Sequence, residues 1–397
     1  MPTDYDYDVI VVGAGPTGGT AAKKCAEHGL RTLMVDKRQE IGAPVRCGEG
    51  YPEYAARLCG ILPDPTWCTM EIDGAVLYTP KLKKIVVNSH EKGYIIERKI
   101  YEKKLAYAAV SAGAECKAKT RVIDVIKEDG YVRGVRAETP EGNHEWTSKI
   151  VIAADGVDSR VGRFAGLRTF NPLVEVDSGY EYEMAGLHFP NPEKIHIWLG
   201  NEIAPRGYCW LFPKGRNVAN VGVGVTGNAE HTAKYYLDYF IDLHPEIFRD
   251  AGIVEIKGGC IPVGAPMSKP YANGIMLVGD AAHMVNPIHG GGMGNGIEAA
   301  CVSAEVAKEA IQKGDYSEEV LKGYYSRWME IKGNRMLQVL KVRKFAEQLS
   351  DDDMEFLAGL IDPADLLDFT TGKKFATVLK IVAQRPSLAA KALRALK

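Results

Sequence analysis

The feature that most constrains the fold is a glycine-rich turn between a β-branched run and a helical segment. Gly13, Gly15 and Gly18 are spaced as GxGxxG directly after residues 9–12, and Asp36 ends the next apolar run. In a strand–turn–helix unit, the first glycine permits the tight turn, the second lets a pyrophosphate approach the backbone, and the third allows close helix–strand packing. The acid can accept a hydrogen bond from a ribose hydroxyl. The amino terminus therefore predicts a dinucleotide-binding βαβ unit.

A second stretch has the same glycine spacing, which shows that the spacing alone is weak evidence. Residues 222–227 read Gly-Val-Gly-Val-Thr-Gly, but they lie among alternating sheet residues, and no strand ending in an acid follows them. They predict a strand and a turn. Only the amino-terminal glycines stand between a strand and a helix with a second strand and an acid beyond, so only they predict a nucleotide site.

The order of predicted elements divides the chain into several packed units. A length of 397 residues corresponds to two or three domains at about 100–200 residues each. The predicted fold class is α/β: a discontinuous Rossmann-type unit is interrupted by an antiparallel-sheet substrate domain and followed by helices. The predicted boundaries are residues 1–72, 98–169 and 272–315 for the Rossmann-type unit, 73–97 and 170–271 for the sheet domain, and 316–397 for the helical region.

Short alternating runs bounded by turn residues predict the strands of the sheet domain. They indicate separate strands at 73–79, 84–89 and 94–97. A helix is predicted at 229–243 within the same unit, and another at 100–111 where the chain returns to the Rossmann-type unit.

Composition and charge exclude several classes of function. Lys and Arg (49) nearly balance Asp and Glu (51), so there is no overall basic field for nucleic-acid binding. The eight cysteines form no CxxC pair and have no histidines at zinc spacing, so neither a disulfide framework nor a metal site is predicted. The sequence shows no basic leader and no apolar run of membrane-spanning length, so a cytoplasmic location is expected.

Two aspartates follow other predicted strands. Asp155 stands in the run Ala-Ala-Asp-Gly-Val-Asp after a buried strand, and Asp280 closely follows a strand at 275–278. Ligands of open α/β sheets bind at the carboxyl ends of strands, which favours a role for both aspartates in the nucleotide site. A turn with a helix cap remains the alternative at each position.

The three motifs together resemble the FAD-binding family of the aromatic hydroxylases of the para-hydroxybenzoate hydroxylase type. The resemblance covers about residues 5–315. It implies tightly but noncovalently bound FAD, with Asp280 holding the ribityl chain and Arg98 near the cofactor. It also implies that the glycine-rich run at 290–296 meets the flavin, where amide donors and a helix dipole would stabilise the negative charge of reduced flavin. The alternatives are a surface charge at Arg98 and a glycine loop that only starts a helix.

Two shorter segments resemble the geranylgeranyl reductases, especially the archaeal enzymes that saturate digeranylgeranylglycerophospholipids. Residues 204–213 contain the YxWxFP signature, and residues 46–50 contain the cysteine loop of that family. Motifs and resemblance together predict cofactor contacts at Gly13, Gly15, Pro16, Thr17, Gly18, Asp36, Arg46, Cys47, Gly48, Gly50, Arg98, Val122, Asp155, Asp280, Gly291, Gly292 and Met293.

Aromatic residues alternate along one predicted strand. Side chains at i, i+2 and i+4 of a strand share one face, so Tyr208, Trp210 and Phe212 are predicted to form an aromatic wall. Either this wall lines an apolar channel for an isoprenoid chain, or it packs the core of a sheet. Cys47 either lies near the site of protonation, acting directly or through a bound water, or is an inert buried thiol. His289, beside the glycine-rich run, either caps local structure or supplies a proton.

These features favour one function and leave two others open. The favoured function is FAD-dependent reduction of geranylgeranyl double bonds on archaeal-type phospholipids, by hydride transfer from reduced flavin together with protonation. The second is an FAD-dependent aromatic hydroxylase, and the third is a non-enzymatic prenyl-binding protein. A prenylated lipid is the expected partner. The electron donor stays open between NAD(P)H and a reduced redox protein.

The carboxyl terminus is locally basic. Residues 373–397 contain no Asp or Glu and seven basic residues, namely Lys373, Lys374, Lys380, Arg385, Lys391, Arg394 and Lys397. Apolar residues at helical spacing predict two short amphipathic helices divided by Pro386. Either these helices dock onto the protein, or they hold an otherwise cytoplasmic enzyme to the inner face of the cell membrane through anionic lipids.

Overall fold

Helices pack around two β-sheets, each of which contains both parallel and antiparallel strand pairs. A computed structural model describes residues 5–363, residue 382 and residues 385–396. In chain order the strands are β1 (Tyr7–Val12), β2 (Thr32–Val35), β3 (Gly50–Pro52), β4 (Cys68–Tyr78), β5 (Lys84–Ile96), β6 (Glu115–Lys117), β7 (Arg121–Glu128), β8 (Tyr131–Thr139), β9 (Gly142–Ala153), β10 (Val176–Ala185), β11 (Lys194–Trp198), β12 (Tyr208–Pro213), β13 (Val218–Thr226), β14 (Gly252–Pro262), β15 (Tyr271–Ala272) and β16 (Ile275–Leu277).

The helices follow the strands of both layers and dominate the last quarter of the chain. In chain order they are α1 (Pro16–Glu27), α2 (Glu53–Cys59), α3 (Arg98–Ser111), α4 (Arg160–Phe164), α5 (Ala233–Leu243), α6 (Pro245–Phe248), α7 (Met293–Lys313), α8 (Glu318–Trp328), α9 (Asn334–Ala346), α10 (Asp351–Ala358) and α11 (Pro386–Leu396). Further helical turns cover Leu173–Glu175, Gly279–Ala282 and Met329–Gly333.

The first sheet carries the predicted dinucleotide-binding unit. Its strands run in the order β15, β16, β9, β1, β2, β6, and β7 and β8 extend it from β9. β1 pairs in parallel with both β2 and β9. The β-branched run at residues 9–12 is buried, and α1 packs against it, as a parallel strand requires. The predicted α/β class with a Rossmann-type unit is therefore confirmed.

The second sheet carries most of the predicted substrate domain. Its strands run in the order β14, β10, β13, β12, β11, β4, β5, β3. Its pairs are antiparallel with one departure from the predicted pattern, because β4 and β11 pair in parallel. Parallel neighbours need a long crossover, and here the chain passes through the first sheet between these two strands.

Strand boundaries in the second sheet differ from the predicted ones. The strands predicted at 84–89 and 94–97 form the single strand β5, which pairs along β4 with two register shifts. Bulges of this kind absorb the turn-like residues without ending the strand. β4 begins at Cys68, so the predicted domain boundary between residues 72 and 73 falls inside a strand.

Three predicted helices change at their amino ends, and one of them is α3, which begins at Arg98 and not at Ile100. α5 begins at Ala233 because Thr232 caps it, with the Thr232 hydroxyl accepting the N–H of Tyr235 at 3.3 Å. Pro386, predicted to divide two helices, is the first residue of α11, where the missing N–H of proline costs no hydrogen bond. The helix predicted before Pro386 lies outside the described residues, apart from residue 382.

The carboxyl-terminal helix docks onto the protein. Leu388 of α11 lies in a buried cluster with Phe345 of α9. Two of the basic residues counted above pair with the protein, since Arg385 and Lys391 lie 3.3 and 2.5 Å from carboxylate oxygens of Asp353. Among the helices that the structure describes, none is long and apolar enough to cross a membrane.

Candidate functional site

A cavity of about 440 Å³, walled by residues of both sheets, collects most of the predicted site residues. The predicted residues that line it are Gly13, Gly15, Pro16, Thr17, Asp36, Arg46, Cys47, Gly48, Arg98, Val122, Asp155, Trp210, Asp280, Gly292 and Met293. The predicted residues outside its lining are Gly18, Gly50, Tyr208, Phe212, His289 and Gly291. The amino-terminal turn, both downstream aspartates, the cysteine loop and one aromatic residue therefore meet in one place.

The glycine turn between β1 and α1 exposes its backbone to the cavity. Gly13 has a φ of +100°, and a Cβ there would lie 2.3 Å from the carbonyl oxygen of Ala154. A Cβ on Gly18 would lie 1.8 Å from the carbonyl oxygen of Gly13, so helix and strand pack too closely for a side chain. A Cβ on Gly15 would meet no atom within 4 Å, because this backbone faces open space at the amino end of α1. The exposed backbone at Gly15, at the amino end of α1, fits a pyrophosphate.

Asp36 follows β2 and is held by its neighbours. The N–H of Ala14 donates to Oδ2 at 2.7 Å, and the Arg38 side chain donates to both carboxylate oxygens at 2.9 Å. Burial opposes ionisation of Asp36, but the hydrogen bonds and the charge of Arg38 outweigh it and lower the pKa. Asp36 is therefore charged at neutral pH, and a ribose hydroxyl would share it with Arg38. Arg38 was not predicted from the sequence, although a basic residue two positions after the acid was an available signal.

The two downstream aspartates stand just beyond the carboxyl ends of neighbouring strands, β9 and β16. Asp155 Oδ2 accepts the N–H of Val161 at 3.0 Å, as the helix-cap alternative requires, but its Oδ1 is buried without a hydrogen-bond partner among the described residues. Asp280 faces the glycine-rich loop, where a Cβ on Gly292 would lie 2.9 Å from its Oδ1. Burial raises the pKa of both carboxyls. An orphaned buried oxygen at a cavity fits a ligand that brings the missing donor.

Arg98 and Cys47 both belong to the cavity wall. Arg98 begins α3, its Nε donates to Glu102 Oε1 at 2.6 Å, and its side chain is only 21% exposed, so the surface-charge alternative is wrong. Cys47 is half-buried, and its Sγ accepts the N–H of Glu49 at 3.2 Å. Burial raises the pKa of the Cys47 thiol, although the charge of Arg98 opposes the rise. The thiol is therefore protonated at neutral pH.

The aromatic residues of β12 form one row. The ring centroids of Tyr208 and Trp210 are 5.9 Å apart, and those of Trp210 and Phe212 are 6.0 Å apart. Trp210 lines the cavity. Phe212 lies against the cysteine loop, with ring carbons 3.1 Å from the place that a Cβ on Gly48 would take. The row therefore runs along the cavity wall, and its middle member reaches the open space.

His289 stands in the glycine-rich loop before α7. Its Nδ1 accepts the N–H of Gly291 at 3.1 Å, and its carbonyl oxygen accepts the hydroxyl of Tyr208 at 2.7 Å. Both bonds hold the loop in place, which favours the capping alternative for His289. A part of His289 in protonation stays a prediction.

A buried group of charged residues beside Trp210 was not predicted from the sequence. Glu181 of β10 and Lys257 of β14 stand opposite each other in the sheet register, and both line the cavity. Trp210 Nε1 donates to Glu181 Oε2 at 2.9 Å. Lys257 Nζ lies 3.0 Å from Glu49 Oε2 and 3.5 Å from Glu181 Oε1. The available signal was the presence of charged residues inside sequences that otherwise read as strands. The alternating pattern of a strand does not show which of its two faces is covered by another part of the protein.

Two family models match successive parts of the chain. Residues 8–172 match the family model described as FAD dependent oxidoreductase, and residues 175–261 match the one described as Geranylgeranyl reductase catalytic domain. The digeranylgeranylglycerophospholipid reductase of Methanosarcina acetivorans is 43% identical over 361 residues, which cover 89% of this chain and 88% of the relative. The enzyme of the same name from Methanocaldococcus jannaschii is 40% identical over 385 residues, which cover 96% of each chain.

Solved structures extend the comparison to the fold. The crystal structure of a geranylgeranyl bacteriochlorophyll reductase-like protein from Thermoplasma acidophilum matches with a TM-score of 0.90 at 36% identity, over 98% of this chain and 99% of that chain. The flavin-dependent brominase Bmp2 shares the fold alone, with a TM-score of 0.75 at 16% identity over 92% of this chain and 93% of that chain. The resemblance predicted from the sequence is confirmed: the chain belongs to the geranylgeranyl reductase family of FAD-dependent oxidoreductases.

Proposed function

We propose that this protein uses FAD to reduce the isoprenoid double bonds of geranylgeranyl chains on archaeal-type glycerophospholipids. The observation that carries the proposal is the cavity in which the glycine turn, Asp280 and Arg98 meet Trp210. An enzyme that brings a flavin to an apolar chain needs one cavity with two regions: a polar region that binds the nucleotide and an apolar, aromatic region that binds the chain. The matching relatives named above support the same reaction.

The residues present fit FAD. The open backbone at Gly15 suits the pyrophosphate, and the orphaned Oδ1 of Asp155 and the carboxyl of Asp280 suit hydroxyl groups. Gly292 and Met293 line the cavity at the start of α7, so the amino end of a long helix can favour negative charge on the flavin. When bound and reduced, FAD supplies a hydride to one alkene carbon. The protein orients the alkene, excludes water and delivers a proton to the other carbon.

The apolar part of the cavity suits an isoprenoid chain. Trp210, Ile261, Val285 and Met293 contribute to its wall. An isoprenoid offers no hydrogen bonds, so its binding depends on buried apolar area, at roughly 25 cal/mol per Å². The one polar atom of Trp210 is bonded to Glu181, which leaves the indole as an apolar surface. Trp210 is therefore the proposed substrate contact, and Tyr208 and Phe212 support it from either side.

Two partners accompany the proposed reaction. NAD(P)H or a reduced redox protein restores the reduced flavin. Anionic membrane lipids attract the basic carboxyl terminus, so that an otherwise cytoplasmic enzyme meets its lipid at the inner face of the membrane. Co-sedimentation with anionic and neutral vesicles tests the membrane contact, and equal binding to both would contradict it.

Reconstitution with FAD separates this function from the two alternatives. We expect the protein to take up FAD, and its reduced flavin to be reoxidised by a geranylgeranyl phospholipid without oxygen. A hydroxylase would need oxygen and leave an oxygen atom in its product, whereas a prenyl-binding protein would hold the lipid without FAD. Trp210→Ala should slow reoxidation by lipid far more than reoxidation by an artificial acceptor. Equal losses in both would assign Trp210 a structural role.

A further inference from the structure

The cavity wall holds a buried acid that the reaction described above leaves without a role. Reduction of an isolated double bond needs a proton as well as a hydride. Glu181 lines the cavity beside Trp210, on the aromatic side of the wall, and is 3% exposed. The aspartates of the nucleotide end are suited to ligand hydroxyls instead. Glu181 is therefore a carboxyl group placed where the alkene is expected.

The two carboxyl oxygens of Glu181 have different surroundings. Oε2 accepts the indole N–H of Trp210 at 2.9 Å and lies 3.3 Å from the place that a Cβ on Gly48 would take. Oε1 is buried, makes no hydrogen bond to the described residues and lies 3.5 Å from Lys257 Nζ. Because the indole N–H occupies Oε2 as a donor, a proton on Glu181 is best accommodated on Oε1.

Charged groups on several elements form a network of ion pairs that reaches Glu181 through Lys257. Lys257 Nζ lies 3.0 Å from Glu49 Oε2 and 3.3 Å from Glu183 Oε2, both closer than the 3.5 Å to Glu181 Oε1. The positive charge of Lys257 is therefore shared among three carboxyl groups. Carboxylates outnumber ammonium groups in this cluster. Its titratable members are Glu183 on β10, Glu255 and Lys257 on β14, Lys214 after β12, Glu97 before α3, and Cys47 and Glu49 on the cysteine loop.

Glu181 is neutral at neutral pH. Burial raises its pKa to about 8, although Lys257 and the Trp210 N–H oppose the rise. Glu49 is equally buried, but Lys214 and Lys257 outweigh its burial and lower its pKa. The cluster therefore contains a carboxylate at Glu49 and a carboxylic acid at Glu181. Of these two residues, Glu181 lines the cavity and has a buried oxygen without a hydrogen bond to the described residues.

We propose that Glu181 is the proton donor of the reduction, an inference that rests on the function proposed above. Its O–H bond breaks, and the proton forms a C–H bond with one alkene carbon through the electron pair of the π bond. The hydride supplied by reduced FAD forms the C–H bond at the other carbon, so the alkene gains the two electrons that the flavin loses. Glu181 is left as a carboxylate beside Lys257 and takes a proton back from water.

Glu181→Gln tests this role because its side-chain carbonyl can still accept the Trp210 N–H while it offers no acidic proton. In protein loaded with FAD and reduced, we expect lipid reduction to fall about 100-fold or more. FAD affinity and reoxidation by an artificial acceptor should be unchanged. Glu183→Gln is the matched control, since Glu183 lies on the same strand and also contacts Lys257 but is not part of the cavity lining. It should lose less than about tenfold.

An infrared pH titration of the protein without FAD supplies a readout that is independent of turnover. The C=O band of a buried carboxylic acid should disappear with a midpoint near pH 8 in the wild type. Glu181→Gln should lack this band, and Glu183→Gln should keep it at a lower midpoint because a neighbouring negative charge is gone. In the wild type, lipid reduction should decline as the pH rises through the same midpoint.

The outcomes separate this inference from the function on which it rests. If Glu181→Gln reduces lipid at the wild-type rate, or if no band that titrates near pH 8 is lost in that variant, the inference is overturned and the proposed function stands. If the wild-type protein with reduced FAD reduces no geranylgeranyl lipid, the proposed function is overturned and the inference with it.

Discussion

The indole of Trp210 lies so close to Gly222 that a Cβ on this glycine would stand 2.3 Å from Cζ2 of the ring. The two residues face each other in the register of β12 and β13. We predict that Gly222→Ala displaces the indole from the cavity wall and weakens its hydrogen bond to Glu181. The free energy of unfolding should fall by about 1–3 kcal/mol, the usual cost of overpacking, and lipid reduction should slow.

Gly224→Ala is the control for this prediction. Gly224 lies on the same face of β13, but its Cβ would be 3.7 Å from Cζ3 of the indole, an ordinary contact. Urea unfolding and the rate of lipid reduction should therefore change little in this variant. Equal effects at Gly222 and Gly224 would contradict the role given to the close contact.

Gly15→Leu should separate folding from FAD binding. A Cβ on Gly15 meets no atom within 4 Å, so unfolding of the protein without FAD should be unchanged. The side chain would occupy the space of the pyrophosphate, so FAD affinity should fall at least tenfold, or about 1.4 kcal/mol. Gly18→Ala should instead destabilise the protein without FAD, because its Cβ would lie 1.8 Å from the carbonyl oxygen of Gly13. An undiminished FAD affinity in Gly15→Leu would show that the pyrophosphate binds elsewhere.

Glu181 should make the free energy of unfolding depend on pH. Its pKa is about 8 in the folded protein against an ordinary value of 4.5, so the folded state holds the proton more tightly. This stabilisation is complete below about pH 4.5 and is lost as the pH rises to about 8, by up to about 1.4 kcal/mol per pH unit. Relative to the wild type, Glu181→Gln without FAD should therefore gain more stability at about pH 8 than at about pH 5. A difference that stays constant over this range would argue against a buried acid at 181.

Asp353 should hold the carboxyl-terminal helix in place. Its carboxylate pairs with Arg385 and Lys391 and its side chain is 5% exposed. Asp353→Asn should therefore raise hydrogen exchange across residues 386–396 about tenfold, or about 1.4 kcal/mol. Asp352→Asn is the control, because the Asp352 side chain is 78% exposed and pairs with Lys81 instead. Identical exchange in the two variants would show that these ion pairs do not dock the helix.

The end of the cavity that holds the glycine turn could be predicted because its residues obey local rules. Gly13 and Gly18 are required by contacts within one strand–turn–helix unit. Asp155 and Asp280 follow parallel strands of one sheet, whose ends meet at the same edge. The glycine contacts lie within a few residues, and the two aspartates lie at the ends of strands in one sheet. The pattern of apolar residues that predicts these strands and the helix is therefore enough to predict both features.

The charged cluster could not be predicted in the same way. Glu181 and Lys257 meet only because β10 pairs with β14, and neither strand shows by its pattern which face the cysteine loop covers. The single strand β5 was missed for a related reason, since its turn-like residues are held in a strand by pairing with β4. Arg38 was missed because its importance lies in bonds to Asp36, which a list of motif residues does not include.

The most direct test of the proposed function is the mass of the lipid after reaction with the reduced, FAD-loaded protein in the absence of oxygen. The substrate is a digeranylgeranylglycerophospholipid, and the product is measured by mass spectrometry. The proposed function predicts a gain of two hydrogens for each saturated double bond, with no oxygen added. A lipid of unchanged mass, or a product that appears only with oxygen and carries an added oxygen atom, would contradict it.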